Sequence, residues 1–312
     1  MARTTTKGIV KVHPDKLRTF LAAPRKKRPP RPPGQPIAPG FHPDHSYDLK
    51  KFGGRTIQTL SFVNVYLGVG NWAPADMTNI DTALAAAMAD SKLNHVIQQY
   101  FGNQAISTTF LGSKKSDAPV QATYDRDSVS SSLDQFYNAG QLAGIDFPST
   151  VINLLLPPGI ILDTTGVGDV RKGGDADDKD SSLKGLGGYH GSHKTADGTT
   201  IYFAVAVYSE ETGGHANGIP VWPDSWKNVV ATLYHELNEA RTDIDVEQVN
   251  ATGNDHLLGW YSQKGGEVGD IPIELAGNDL QLVFVEETLQ NGEVAPIQLM
   301  WSNAAGGPGV PF

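Results

Sequence analysis

Apolar residues recur at three- and four-residue intervals over residues 224–243, the clearest periodic signal in the chain. Trp226, Val229, Val230, Leu233, Leu237 and Ala240 form one stripe at helical spacing. Pro223-Asp224-Ser225 opens that helix, with Asp224 or Ser225 placed to cap it. Residues 81–100 carry the same period, and residues 128–142 predict a further helix. Residues 56–67 are rich in β-branched and aromatic side chains and predict a strand, as do residues 201–208. The apolar run 151–156, closed by Pro157-Pro158-Gly159, suits a buried strand. Residues 119–124, 280–286 and 297–301 predict shorter strands, the last two linked by a turn at Asn291-Gly292. Residues 8–21 predict a short helix. Strands and helices mixed over about 260 residues, with no internal repeat, predict one α/β (α+β) domain.

Composition changes this picture at the front of the chain. Nine of the 20 prolines precede Tyr47, concentrated in residues 23–33, where Arg25-Lys26-Lys27-Arg28 also lies. Proline lacks an amide N–H and fixes φ, so such a stretch is extended and solvated. The expected division is a flexible basic Pro-rich tail, 1–46, and a folded domain, 47–312. Residues 1–51 hold 12 Lys+Arg against 3 Asp and no Glu, a balance of +9 within a net charge of −9. The remainder, at −18, is a poor general partner for nucleic acid. The tail reads as a tether, or as a segment that binds an acidic partner or a loading apparatus. If it only directs delivery, deleting residues 1–45 leaves the folded domain intact.

The chain has no cysteine, so any metal must be held by His and carboxylates. No stretch approaches the roughly 20 apolar residues that span a bilayer. Residues 1–20 lack an apolar run of signal-peptide length, which points to cytoplasmic synthesis with a non-classical export route left open.

The chemistry concentrates on the long helix, in His235-Glu236-Leu237-Asn238-Glu239. At about 100° per residue, His235, Glu239 and Asp243 fall within an arc of roughly 80°, away from the apolar stripe. The helix is therefore expected to pack into the core and present one His and two carboxylates to a cleft. His235 and Glu239, one turn apart, can share a metal ion. In H-E-x-x-H enzymes the Glu after the first His acts as general base, the place Glu236 holds here. A carboxylate as second ligand still suits Zn²⁺, and also suits a harder ion such as Mn²⁺ or Ca²⁺. For the third ligand, Glu267 is preferred, Asp270 comes next, and Asp243 and Asp245 compete. Glycines around Glu267 and Asp270 let the backbone bring those carboxylates close to another element. In Gly188-Tyr189-His190, read as a loop, His190 is a candidate ligand, hydrogen-bond donor or substrate contact. His193 and His215 read as surface residues.

These residues, in this order, resemble the Exordium-like (phosphate-induced protein) family, and its bacterial relatives most. The likeness spans most of residues 55–303. It begins with Val65-Tyr66-Leu67-Gly68 and Asn71-Trp72, then Ser91-Lys92-Leu93 with Gln99-Tyr100, then Leu154-Leu155-Leu156-Pro157. Around the site it comprises Gly188-Tyr189-His190, the run His235-Glu236 to Glu239-Ala240 with Thr242-Asp243, Gly259-Trp260-Tyr261, and Glu267-Val268-Gly269-Asp270. It closes with Pro296-Ile297-Gln298 and Trp301-Ser302-Asn303. The resemblance implies a zincin-like, metalloprotease-type domain with a mixed sheet and a long active-site helix. His235, Glu239 and Glu267 would be its ligands and Glu236 its base. The chain departs from the family in having no cysteine, no evident signal peptide, and Ile244 where Pro usually follows Thr-Asp.

Other motifs carry less. Asp175, Asp177, Asp178 and Asp180 lack the Gly and Glu of an EF-hand loop and read as a solvated loop. Gly166-Val167-Gly168 is too short for a phosphate loop, and neither G-x-x-x-x-G-K-[ST] nor G-x-S-x-G occurs. The expectation is a zinc-dependent metallohydrolase, a peptidase acting on a peptide or protein. Glu236 would be its base, and His190 or Tyr189 would stabilise the oxyanion. The alternatives are a non-catalytic binding or interaction protein on the same fold, and a secreted effector or cargo protein loaded through its tail.

Overall fold

The computed structural model describes residues 9–12, 16–17, 20–21, 36–164 and 181–311. Its centre is a six-stranded mixed sheet made of β1 (Ile9–Lys11), β2 (Thr59–Tyr66), β3 (Ser107–Lys115), β4 (Thr150–Leu155), β5 (Leu186–Lys194) and β6 (Thr200–Ala206). The order across the sheet is β1-β5-β6-β4-β2-β3. Strands β3, β2, β4 and β6 run parallel, β5 lies antiparallel to β6, and β1 is antiparallel to β5. Both faces of this part of the sheet are covered, so Thr150–Leu155 is mostly apolar and buried at every position, and its Asn153 amide donates to Asn64 Oδ1 at 2.8 Å.

Helices cover both faces. On one lie α1 (Pro74–Ala89), α2 (Ser91–Gln98) and α4 (Ser225–Thr242). There Phe62, Tyr66, Val151, Leu155, Ala204 and Ala206 of the sheet meet Ile80, Leu84, Val229, Leu233 and Leu237. On the other lies α3 (Arg126–Asn138), where Val63, Val65, Ile152, Leu154 and Val205 meet Val129, Leu133 and Phe136. The two sets of sheet residues alternate along each strand, as a period of two requires. Behind α4 stand the short helix α5 (Asp270–Ala276) and a hairpin of β7 (Phe284–Thr288) and β8 (Val294–Gln298), whose turn contains Gly292 at φ 87°. No helix among the described residues is long and apolar enough to cross a membrane.

The α/β domain with its mixed sheet and long helix is thus as the pattern predicts, and several details differ. The helical signal of residues 81–100 is two helices: α1 starts at Pro74, and Asp90 interrupts the run by accepting from the amides of Lys92 and Leu93 at 2.9 and 3.0 Å to cap α2. Strand 119–124 shrinks to Thr123–Tyr124. Residues 280–286 divide between a 3-10 turn, Leu280–Leu282, and the start of β7. Asp224 sits at the start of α4 without a side-chain cap, its carboxylate 3.1 Å from Lys227 Nζ instead.

The region read as a loop around His190 is strand β5, in full register with β6 from Gly188↔Ala206 to Lys194↔Thr200. The expected helix over residues 8–21 is also corrected, because Ile9–Lys11 pairs along the edge that β5 would otherwise leave open. Helical backbone follows at 16–17 and 20–21, where Leu17 and Phe20 are buried against Ile219, Val221 and Leu280. Part of the segment expected as tail therefore packs on the domain. Most of the Pro-rich run, the Gly166-Val167-Gly168 stretch and the Asp175–Asp180 carboxylates lie outside the described residues.

Candidate metal centre

Helix α4 packs into the core, and the cleft expected beside its polar arc is closed over. Every residue from Asn228 to Thr242 is buried, with the sheet packed on one side and α1 and the β7–β8 hairpin on others. Its polar arc therefore faces other protein groups rather than an open cleft. His235, Glu236, Glu239 and Glu267 have no exposed surface and His190 has 1%. The Asp270 side chain, 26% exposed, is the one member of the cluster that reaches solvent. Buried charge on this scale is tolerated only when paired or bound to a metal.

His235 Nε2 lies 3.0 Å from Glu239 Oε1 and 4.0 Å from Asp270 Oδ1. Its other nitrogen, Nδ1, meets Gln298 Oε1 on β8. Gln298 Nε2 donates to the carbonyls of Gly269 and Leu299 at 2.9 and 2.6 Å, which fixes the amide so that its oxygen faces the ring. A proton on His235 Nδ1 is therefore held by Gln298 Oε1, and Nε2 is turned toward the carboxylates. Gly269 makes this approach feasible, since a Cβ there would sit 2.4 Å from His235 Nδ1. The amides of Gly269 and Asp270 donate to Glu239 Oε1 at 3.1 and 3.2 Å.

Strand β5 brings His190 over the helix from the sheet side. His190 Nδ1 is 3.0 Å from Glu236 Oε2, and 3.8 Å from Glu239 Oε2. Its Nε2 is 3.3 Å from the Asp243 carbonyl and 3.7 Å from Glu267 Oε1. Glu267 arrives on the loop before α5. Among the described residues, His235 Nε2, Glu239 Oε2 and both Glu267 oxygens are buried without a hydrogen-bond partner. Orphaned donor atoms of this kind, one nitrogen and several carboxylate oxygens converging, fit a divalent cation.

The electrostatics agree. Burial would lower the His235 pKa, but the attraction of Glu239, then Glu236 and Asp270, raises it to about 10. His190 is likewise raised, its burial outweighed by Glu236 and Glu239. Burial pushes Glu236 up against the opposing hydrogen bond from His190, and pushes Glu267 well up with Glu239 adding to it. Asp270 is likewise raised well above the usual carboxylate range, by burial first and then by Glu239. These are carboxyls short of cations.

The remaining residues singled out in the sequence separate from this cluster by degrees. Asp243 ends α4 and turns Oδ1 to the amide of Gly259 at 2.9 Å. Burial raises its carboxyl to about 7 against that hydrogen bond. Gly259 is required there because a Cβ would fall 2.1 Å from the Thr242 carbonyl. Asp245 is engaged elsewhere, accepting from Tyr202 Oη at 2.8 Å, with Arg55 3.9 Å away. Tyr189 is a correction: alternation along β5 sends it through the opposite face of the sheet, where its ring meets Phe203 at 5.7 Å and Arg126 stacks on it at 5.0 Å. It does not face the cluster. His193 bonds Asp134 at 2.8 Å, and His215 is exposed on a small hairpin. Gln298 was marked in the sequence by resemblance alone; only the fold shows it orienting His235.

No family model matches the chain, and no curated protein matches it. Eight chains of solved structures match. One is the crystal structure of metalloproteinase-II from Bacteroides fragilis, at TM-score 0.31 and 13% identity, covering 80% of this chain and 55% of that one. The chain thus spans about half the length of that protein.

Proposed function

We propose that this chain is a zincin-type, metal-dependent hydrolase acting on peptide bonds, with its cation held around Glu239 by His235, Glu267 and Asp270. The observation that carries the reading is the set of buried, unpartnered donor atoms on His235, Glu239 and Glu267 beside the Glu236 carboxyl. The ordered resemblance of Gly188-Tyr189-His190, H-E-x-x-E and Glu267-Val268-Gly269-Asp270 to the Exordium-like family supports it. Zn²⁺ is the expected ion, with Mn²⁺ or Ca²⁺ suited to the carboxylate-rich set. When bound, such a cation polarises a carbonyl and acidifies water.

The chain's own groups divide the remaining work. Glu236, one residue from His235, would accept a proton from the attacking water and pass it to the leaving amine. His190, held 3.0 Å from Glu236 Oε2, fixes that carboxyl and would share its proton. Gln298 and the amides of Gly269 and Asp270 hold His235 and Glu239 in place. Asp270, at the exposed margin, marks the side from which a peptide would approach.

The test is elemental analysis of the purified protein beside His235→Ala and Glu239→Ala, followed by cleavage of a peptide library. Bound metal lost in both variants supports the centre. Glu236→Gln is expected to lower turnover about 10²–10⁴-fold while keeping the metal; loss of metal in that variant would make Glu236 a positioning residue for His190. A second reading, a non-catalytic protein with a structural ion, is favoured by the burial of the cluster, since closed coordination is the mark of structural sites. Metal retained in an inert wild-type protein would select it.

A further inference from the structure

The donor atoms fall into two groups that share one residue. His190, Glu239 and Glu267 place ligand atoms within 4.8 Å of one another, and so do His235, Glu239 and Asp270. The two oxygens of Glu239 divide between the groups. Oε1 stands 3.0 Å from His235 Nε2, and Oε2 stands 3.8 Å from His190 Nδ1. The amide donors of Gly269 and Asp270 reach Oε1, which sets the rotation of the carboxylate and leaves Oε2 without a hydrogen bond. At 3.0 Å, His235 Nε2 and Glu239 Oε1 nonetheless make no hydrogen bond. That separation is what two neighbouring ligands of one ion adopt when each bond is about 2.0–2.2 Å long.

The number of donors gives a further reason to look beyond one ion. Five carboxyl groups, those of Glu236, Glu239, Asp243, Glu267 and Asp270, gather around two imidazoles. Arg241, on the same helix, turns its guanidinium the other way, to the carbonyl of Ser107 at 2.9 Å and to Thr108 and Asn94. A single divalent cation can be ligated at only one of the two groups, which leaves buried donor atoms of the other without a partner, the costlier arrangement.

We propose that the centre holds two divalent cations bridged by the Glu239 carboxylate, one beside His190 and Glu267 and the other beside His235 and Asp270. The inference rests on the metal reading above and adds the second ion. Each half supplies one imidazole and one carboxylate of its own, a mixed nitrogen and oxygen set suited to Mn²⁺ or Zn²⁺. Paired ions bridged in this way lie about 3.5–4 Å apart, close enough to couple magnetically and to clamp both oxygens of a reacting group.

The experiment loads the metal-stripped full chain with Mn²⁺ and reads stoichiometry by equilibrium dialysis with elemental analysis, and spin coupling by electron paramagnetic resonance. Two Mn²⁺ per chain with an exchange-coupled signal is expected. Asp270→Asn and Glu267→Gln are each expected to hold one ion with the isolated six-line signal, with circular dichroism confirming the fold. One ion per wild-type chain with an isolated signal overturns the two-ion centre and leaves the metal reading standing. No uptake of Mn²⁺ or Zn²⁺ overturns both. Two ions retained in both variants also overturns the proposal, because the second ion then lies elsewhere.

Discussion

At the scale of single residues, Gln298 controls the centre without belonging to it. Its amide is locked by two carbonyls, and the locked oxygen decides which nitrogen of His235 faces the carboxylates. Removing such a partner frees the ring and commonly costs 10–100-fold in metal affinity. Gln298→Ala is accordingly expected to weaken Zn²⁺ binding by about that factor in a competition titration against a chromophoric chelator, with the far-ultraviolet spectrum unchanged. An unchanged affinity would mean that His235 is oriented by packing alone. The ligand candidates on α4 were legible in the sequence because helical spacing alone places His235 and Glu239 together. Glu267 and Asp270 were legible as glycine-flanked carboxylates. The role of Gln298 was not, since nothing local connects position 298 to position 235. A loop would let Tyr189 and His190 face the same site; in a strand, period two forces them to opposite faces.

At the scale of elements, local signals sufficed where one residue does one thing. Residues 151–156 and 201–208 are apolar strands because both faces of the sheet are covered, and they read as such. Strand β5 did not, since Gly187, Gly188 and Gly191 are poor strand formers and its pairing comes from β6 and β1 rather than from propensity. Strand β3 alternates exposed and half-buried residues at the sheet's edge, so it lacks an apolar signature. Caps are local and testable. Asp125 caps α3, its Oδ1 accepting from the Ser128 amide at 2.8 Å and the Ser128 hydroxyl at 2.7 Å. The Ser128 hydrogen bonds lower its pKa in the fold. A carboxyl lowered on folding stabilises above its unfolded pKa, and that stabilisation is lost as pH falls through the folded value. Asp125→Ala is therefore expected to cost about 1 kcal/mol at pH 7 in urea unfolding. The gap to wild type should begin to close below about pH 4. A gap independent of pH would show that the cap acts through its shape rather than its charge.

At the scale of the whole molecule, the front of the chain and the buried centre pull on stability in opposite directions. Leu17 and Phe20 are 3% and 5% exposed, and β1 completes the edge of β5, the strand that carries His190. The Pro-rich run and a short helix over residues 8–21 were legible before the fold, but the pairing of Ile9–Lys11 with β5 has no local signal. Deleting residues 1–45 is thus expected to destabilise the domain rather than spare it. Phe20→Ala alone should cost about 3–5 kcal/mol, read as a lower urea midpoint at unchanged slope. The centre works the other way when it is stripped of metal. Glu267 then keeps a carboxyl with no exposed surface and no hydrogen bond to either oxygen, among other carboxyls. Burial makes that carboxyl take up a proton on folding, which costs stability at neutral pH; Glu267→Gln removes the cost at nearly constant volume, so the metal-stripped variant should unfold at higher urea than metal-stripped wild type. Adding Zn²⁺ should reverse the order. A cation that binds only the folded chain contributes about 2.7 kcal/mol at a hundredfold excess over its dissociation constant, and the variant, short of a ligand, gains less. The crossing of the two stability curves with metal concentration is the measurement. If Glu267→Gln is less stable than wild type with and without metal, the cluster is held together by its own hydrogen bonds, and a bound ion is not what its carboxylates are arranged for.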